Sequence, residues 1–482
     1  MMTRSSLNPS AAPGKVRDGK PKLALIALLA LMIPIYFQVG SLNLTFSRLV
    51  FTPLVPILLF QLLSGRYGRI LPTDILVLLY MGWRTLSAFV TSAPVAFEYS
   101  ASNAAIFLGA YLAARASIRN VADFQYASRI LITFVLISFP FAVYEAKTGV
   151  MFIPRLLDGI PFIKTPVDAN YARRLGMDRV QFVFVHSIHY GLFCSTAFAL
   201  LYVGLKDRIK TFTRWVGSGF VLLCCLMSVS SGPFLALLCQ IPLIAYDYLF
   251  RQNPNRWKIF LIAGAIAYAI LEVLSDRPAF YAISSRLAFS AYNANYRKVL
   301  LEYGLRQIGR TPVFGIGFLR GWDAPAWISG SLDNFWLGDA LIFGIPAFAF
   351  HFGSVVVGIT MIGRRKFTRD SALDHARFAW IFVVVSLMLT LATVYIWSEI
   401  ASLVFFIYGS GAFLITAVEA DQNALPVETG NDRKIRYTRY PAKPDKPLPD
   451  PVELAGDGAE DMVAQPPAKP QPASSRYRRR DS

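Results

Sequence analysis

The chain has 482 residues, of which 55% are hydrophobic and only 16% are charged. A soluble globular protein carries about 25% charged residues, so this composition excludes an ordinary soluble domain and confines the charges to short stretches. The net charge of +18 indicates basic cytoplasmic loops and contact with membrane lipids rather than nucleic acid, because lysine and arginine set the orientation of membrane proteins.

Apolar stretches that are long enough to cross a bilayer recur along the chain. A membrane-spanning helix needs about 20 apolar residues. The predicted spans are residues 22–40, 44–63, 72–91, 98–114, 126–145, 187–205, 215–229, 232–250, 257–274, 335–362, 378–396 and 398–418. The predicted fold class is therefore an all-α polytopic membrane protein with about 12 transmembrane helices and a large late periplasmic loop.

Three regions follow from this pattern. Residues 1–20 are a predicted cytoplasmic N-terminal tail, and residues 21–420 are the predicted transmembrane domain. Residues 421–482 are rich in proline and charge, which predicts a disordered cytoplasmic C-terminal tail. The basic end of that tail either rests on anionic headgroups or is solvated without a role. The four cysteines and four histidines form no metal-ligand pattern, so neither a metal nor another cofactor is predicted.

The charge distribution orients the predicted spans in a bacterial inner membrane. With the N-terminus inside, every cytoplasmic connection carries Lys or Arg, and the short outer turns carry none, as the positive-inside rule requires. Arg115, at the end of the fourth span, is interpreted as one of these orienting charges. Twelve crossings then place both termini in the cytoplasm.

Two long outer segments are basic although topology does not require it. Segment 147–185 has six basic and three acidic residues, and segment 275–334 has seven basic and four acidic residues. Long loops cross the membrane despite their charge. A net positive charge in both segments therefore predicts an anionic ligand on the periplasmic side.

The first candidate site lies at the mouth of the sixth span. It comprises Arg174, Arg179, His186, His189 and Tyr190. If the helix extends outward, Arg179, His186 and either His189 or Tyr190 share one face. Arginine offers a planar fork for phosphate, and histidine accepts a proton from a hydroxyl near neutral pH. The competing interpretation is that the arginines anchor lipid headgroups and the histidines cap a helix pair.

The second candidate site lies in the later outer segment. It comprises Tyr296, Arg297, Gly315, Gly317, Asp333 and Asn334. No strand precedes the two glycines, so they predict close backbone packing against a ligand or a helix rather than a nucleotide site. Asp333 is either a general base or, with Asn334, an N-cap on the tenth span.

Together these segments resemble the O-antigen ligase and Wzy-type polysaccharide polymerase superfamily over residues 70–420. The resemblance rests on the order of the motifs and on the late outer loop. The matching residues are Arg174, Gly176, Arg179, Phe184 and His186, a small polar turn at 228–232, Arg297 with Pro312, Gly315 and Gly317, and Asn334 with Leu337.

The resemblance implies a metal-independent membrane glycosyltransferase. Such an enzyme transfers oligosaccharide from undecaprenyl diphosphate to a sugar hydroxyl, which belongs either to another repeat unit or to lipid A core. By the same resemblance Arg297 and Arg179 hold the diphosphate, Arg174 supports them, and a flippase and a chain-length regulator are expected partners. Many ligases carry histidine where this chain has Asp333, which favours a polymerase of exopolysaccharide or O-antigen. That difference leaves open whether Asp333 or His186 is the base.

Two other functions remain open at this stage. A 12-span secondary transporter or flippase is the first, although the two halves of the chain are unlike and the largest predicted loop is late and outside. A non-catalytic assembly subunit that only binds lipid-linked glycan is the second.

Overall fold

The computed structural model describes residues 21–39, 42–168, 173–174, 176–274, 291–318, 321–322, 324–325 and 332–419. The predicted tails, residues 1–20 and 421–482, lie outside the described residues, as does much of the predicted late loop 275–334. Within the described part, the chain is almost entirely helical, which confirms the all-α class.

The helices follow one another with short connections, and a single two-stranded hairpin interrupts them. In chain order the elements are α1 Lys22–Met32, β1 Tyr36–Val39, β2 Leu42–Thr45, α2 Phe46–Leu63, α3 Pro72–Thr91, α4 Ala93–Asn103, a π-helical turn Ala104–Gly109, α5 Ala110–Ser117, α6 Val121–Thr148, α7 Phe152–Leu157, α8 Ser187–Ala199, a π-helical turn Leu200–Gly204, α9 Thr211–Met227, α10 Ser231–Leu249, α11 Arg256–Leu274, α12 Ala291–Arg310, α13 Phe335–Phe343, α14 Ile345–Gly363, α15 Ala372–Thr390, α16 Ser398–Ser410 and α17 Ala412–Thr416.

Nine helices in the described ranges are long and apolar enough to cross a membrane. The chain is therefore a multi-pass membrane protein, but the predicted count of twelve is not confirmed. The stretch 98–114 forms part of the helical run from α4 to α5, which is not among the nine. Two more of the predicted spans are not among the nine, because their helices are short: α9 has 17 residues and α1 has 11. Eleven residues rise only about 16 Å, whereas the hydrocarbon core is about 30 Å thick.

The first predicted span, 22–40, is wrong as a single helix. The helix ends at Met32, two residues before Pro34, and a proline disfavours helical backbone in the residue before it. The chain then forms the antiparallel hairpin of β1 and β2. Tyr36 also pairs with Lys164 of the segment 147–185, so that segment docks on the hairpin.

The tenth predicted span, 335–362, is a helical hairpin rather than one helix. The backbone reverses at Gly344, where φ is 89° and an added Cβ would lie 1.9 Å from the carbonyl oxygen of Val313. The Trp336 ring consequently packs 4.8 Å from the ring of His351. In a continuous helix these residues would be about 22 Å apart.

Basic connections meet at one end of the bundle, here called the basic end. Arg119 donates to the backbone oxygen of Arg66 at 3.2 Å, which joins the connections at 64–71 and 118–120. Lys206 pairs with Asp370 at 2.6 Å, which joins the connections at 205–210 and 364–371. The clustering agrees with the grouping that the positive-inside pattern predicted.

The other end, here called the site end, contains the start of α8, the turn at 228–230 and residues 391–397 between α15 and α16. The turn separates α9 from α10, so Ser228–Pro233 is a turn between two helices and not a break within one. We call residues 391–397 the connecting segment.

Candidate functional site

Arg297 and Asp333 line one cavity at the site end. The cavity lies between α12, the start of α13 and the connecting segment, and its lining residues are Arg297, Leu300, Leu301, Asp333, Asn334, Ala392 and Thr393. Only about 20 Å³ of it is open to the centre of a water molecule, which is room for about one ordered water. The cavity as it stands is therefore smaller than a lipid headgroup.

The charged residues in the lining of this cavity are one cation, Arg297, and one carboxylate, Asp333. Burial lowers the pKa of Arg297, and the charge of Asp333 opposes that shift. Within the described ranges, the buried Nε of Arg297 has no hydrogen-bond partner. A guanidinium that is partly buried and only partly satisfied gains from an added phosphate oxygen.

Asn334 holds the entrance of α13 in place. Its side chain accepts from the backbone N–H of Leu337 at 3.0 Å, the N-cap geometry that the sequence predicted. The N–H of Phe335 then donates to the carbonyl oxygens of Leu391 (2.8 Å) and Val394 (3.2 Å). These bonds fix the connecting segment beside the cavity.

The two glycines of the second candidate site have a packing role. Gly315 and Gly317 have φ of 68° and 70°. A Cβ at Gly315 would lie 2.4 Å from the backbone of Ile342, and one at Gly317 would lie 2.4 Å from Thr91. Of the predicted alternatives, the structure therefore shows close packing against helices. Tyr296 is half-buried and packs beside Leu300 in a small core cluster.

The cationic cluster of the first candidate site lies beside α8. The predicted helical extension over residues 179–186 is wrong, because α8 begins at Ser187 with His186 as its N-cap. Arg179 and Arg174 nevertheless lie close to His186, whose pKa burial and these two charges lower from 6.5 to about 4. Arg174 also donates to the carbonyl oxygen of Val229 at 3.5 Å, so this cluster reaches the 228–230 turn.

The hydrogen bond at the helix cap assigns the proton on His186. Its Nδ1 accepts from the backbone N–H of Ile188 at 3.0 Å. In the neutral ring the proton therefore sits on Nε2, which makes that atom a donor. His186 can hold an anion or a sugar oxygen, but it cannot take a proton without releasing the helix cap.

His189 and Tyr190 point to different surroundings. The ring of His189 is buried and packs 4.2 Å from the Trp397 ring, and the His186 ring lies 5.9 Å from the same tryptophan. Tyr190 turns to α6, where its hydroxyl bonds to Ser138 at 2.9 Å. The structure thus groups His186 and His189 with Trp397, and leaves Tyr190 in the core.

The connecting segment contacts both clusters. Ala392 and Thr393 line the Arg297 cavity, and Trp397 contacts the two histidines. Positive φ values occur at Val229 (42°) and Ser398 (54°), residues for which this backbone conformation is strained. Strained backbone of this kind concentrates at functional sites.

A buried ionic network that the sequence analysis missed lies between α3 and the α13–α14 hairpin. Arg84 pairs with Asp339 at 3.0 Å, and both side chains are nearly inaccessible. Asp339 also bonds to His351 at 2.8 Å and accepts from Tyr80 at 3.0 Å. A second bond from Arg84 reaches Asn103 at 3.1 Å. Ionisable residues inside apolar stretches of spans were the signal that could have found this network.

Arg115 also differs from its prediction. It is buried and pairs with Asp74 at 3.3 Å, and it donates to the carbonyl oxygens of Tyr67 and Arg69. Its position inside the protein holds a connection together, whereas a purely orienting charge would face water or headgroups.

No protein-family model and no curated protein matches this chain. The chemistry available at the site end therefore has to be inferred from its residues. Cationic groups for a phosphate, a histidine donor and carboxylates lie around one segment of the chain. In the part of the chain that the structure describes, no cluster of three His, Cys, Asp or Glu side chains is suited to a metal ion.

Proposed function

We propose that this protein transfers oligosaccharide from undecaprenyl diphosphate to a sugar hydroxyl at the periplasmic face of the bacterial inner membrane. The reaction would polymerise repeat units of an exopolysaccharide or O-antigen, and attachment of the glycan to lipid A core is the alternative within the same class. One observation carries the proposal: the connecting segment contacts groups from two distant, arginine-containing stretches of the chain. Ala392 and Thr393 line the cavity of Arg297, whose described lining does not include Arg174 or Arg179. Trp397 packs against His186, and Arg174 and Arg179 are electrostatic neighbours of that histidine.

The leaving group explains why arginines matter. As the glycosidic bond breaks, the diphosphate gains negative charge, and preorganised guanidinium groups stabilise that charge. One such donor in a dry site contributes about 2.7–4 kcal/mol. Arg297 supplies a donor atom without a partner among the described residues.

The lipid tail of the carrier accounts for the position of the site. A polyprenyl chain lies in the bilayer, so the reacting diphosphate must stay at the membrane surface. The site end collects the segments that the charge pattern predicts to be outside, which supports an active site facing the periplasm with both termini cytoplasmic. A flippase and a chain-length regulator are the partners that such an enzyme requires.

A binding experiment and a product assay test this function. The purified protein in nanodiscs is titrated with undecaprenyl diphosphate and with undecaprenyl monophosphate, and it is incubated with lipid-linked oligosaccharide extracted from the source bacterium. We expect tighter binding of the diphosphate and a ladder of longer glycans. Equal binding of both lipids together with an unchanged glycan length would refute the proposal.

A transporter or flippase is the second candidate, and the buried network favours it. Charged residues deep in spans often mark transport pathways. A small cavity of about 20 Å³, whose lining includes Tyr111, Ser354 and Tyr408, lies next to the buried network. Movement of labelled lipid-linked oligosaccharide across proteoliposomes without any change in glycan length would favour this candidate.

A further inference from the structure

Glu399 is a buried carboxylate at the site end that no predicted motif contains. It lies in the first turn of α16, two residues after Trp397, and it is 6% exposed. Within the described ranges, its carboxylate forms neither a hydrogen bond nor a direct ion pair. A buried carboxylate without such a partner is unfavourable. The helix N-terminus offsets only part of this penalty.

The electrostatic neighbours of Glu399 lie in α2 and β1. Arg48, in the first turn of α2, interacts electrostatically with both Glu399 and Tyr36. Burial, and then the charge of Glu399, raise the pKa of Tyr36, so its hydroxyl stays protonated as a donor. Tyr99 of α4 also interacts electrostatically with Arg48.

Glu399 is connected to the proposed site through Trp397. The indole is 41% exposed and packs against His186 and His189. Ser398, between Trp397 and Glu399, has a φ of 54°. This backbone conformation is strained in a residue other than glycine.

The two candidate bases that the sequence predicts, His186 and Asp333, already make other interactions. Nδ1 of His186 accepts the helix-capping N–H of Ile188, so Nε2 of the neutral ring is a donor and not a base. Asp333 lies in the cavity of Arg297 and balances the charge of that arginine. Glu399, by contrast, is a buried carboxylate next to the connecting segment that forms neither a hydrogen bond nor a direct ion pair with a described residue.

We propose that Glu399 is the base that accepts the proton of the acceptor sugar hydroxyl. The inference rests on the proposed glycosyl transfer. The acceptor oxygen forms a bond to C1 of the donor sugar, and the bond from C1 to the phosphate oxygen breaks with its electron pair passing to the diphosphate. The hydroxyl proton passes to the carboxylate of Glu399 and then to water.

The test is Glu399→Gln, which keeps the shape of the side chain and removes the basic oxygen. In the product assay we expect kcat to fall by about 10²–10⁴-fold, with little change in the KM for the donor. The wild-type rate is expected to fall on acidification, and the glutamine variant should lack that dependence. Glu98→Gln, a carboxylate of α4 near the same end, is the matched control and should keep full activity.

The same assays distinguish a failure of the proposed function from a failure of the role of Glu399 alone. If the wild type neither extends glycan nor distinguishes the two undecaprenyl lipids, the proposed function has failed. If the wild type is active and Glu399→Gln keeps turnover within twofold, only the role of Glu399 has failed. Should the glutamine variant not fold, Glu399→Asp decides: a lower rate with the acid dependence retained supports the base, and a rate independent of pH contradicts it.

Discussion

The two ends of the helical bundle hold their arginines in different ways. At the basic end, Arg115 donates to the carboxylate of Asp74 and to two backbone carbonyl oxygens. At the site end, the side chain of Arg174 reaches one carbonyl oxygen at 3.5 Å, and the Nε of Arg297 has no partner among the described residues. Nε atoms without a described partner also occur at the basic end, on Arg214, Arg365 and Arg377. The difference therefore lies in the several bonds by which Arg115 holds the protein together.

The interior network follows the pattern of the basic end. Arg84 donates to Asp339, Tyr80 and Asn103, and its guanidinium lies 3.9 Å from the centre of the Phe343 ring. Few of its donors remain for another molecule. The contrast between structural and ligand-facing arginines therefore predicts different consequences for substitutions at the two kinds of position.

The largest effect is expected for Asp339→Asn. This substitution leaves Arg84 buried without its counter-charge, and breaking such a pair destabilises a protein by about 3–5 kcal/mol. Thermal unfolding in nanodiscs measures the change, and Asp370→Asn, at an exposed position, is the control. An unchanged unfolding temperature would show that the network does not stabilise the fold.

Arg297→Lys should leave stability intact and remove most of the glycan transfer. Lysine keeps the charge but loses the planar fork, so we expect a loss of about 10²–10³-fold in rate. The measurement is the product ladder, with insertion checked by the yield of folded protein. Arg310→Lys, on the same helix α12, should behave like the wild type. Full activity of Arg297→Lys would remove this arginine from the mechanism.

Arg115→Lys should show the opposite behaviour. The lysine cannot reach Asp74 and both carbonyl oxygens together, so the protein should lose about 1–3 kcal/mol of unfolding free energy. Turnover per folded molecule should not change. A folded but inactive variant would contradict the structural role that we assign to the basic end.

His186→Asn tests the site end through its pH dependence. The pKa of His186 is about 4 in the folded protein and 6.5 as the reference value, so between these pH values the unfolded chain binds the extra proton. Stability therefore falls as the pH drops from 6.5 to 4. Asparagine is a good N-cap and does not titrate, so the variant should lose about 2–3 kcal/mol less over this range. If the unfolding free energies of the wild type and the variant fall equally between pH 6.5 and pH 4, the assigned environment of His186 is contradicted.

The smallest effect is expected for Lys206→Gln at the basic end. Lys206 and Asp370 are both exposed, with 42% and 55% of their side chains accessible. Exposed pairs contribute about 0–1 kcal/mol, so chemical denaturation should change little. A loss of unfolding free energy as large as that of Arg115→Lys would mean that burial does not decide how much an ion pair contributes to stability.

The local motifs were predictable because they depend on neighbouring residues. The Asn334 side chain caps its helix by bonding the nearby N–H of Leu337. The backbone at Gly315 can approach another helix because glycine has no side chain. The hairpin at Gly344 was not predictable from hydropathy, because an apolar run has the same composition whether it continues or turns back. The Arg84–Asp339 pair was missed for a related reason, since its partners are 255 positions apart in the chain.

The sequence by itself determined the helical membrane class, the grouping of basic connections and the local helix caps, because length, hydropathy and adjacent side chains decide these. Only the tertiary structure decided which arginines are paired inside the protein and which face the cavity beside residues 391–397. That choice depends on which carboxylates and carbonyl oxygens distant helices bring within hydrogen-bonding distance, and hydropathy along the chain carries no information about such contacts.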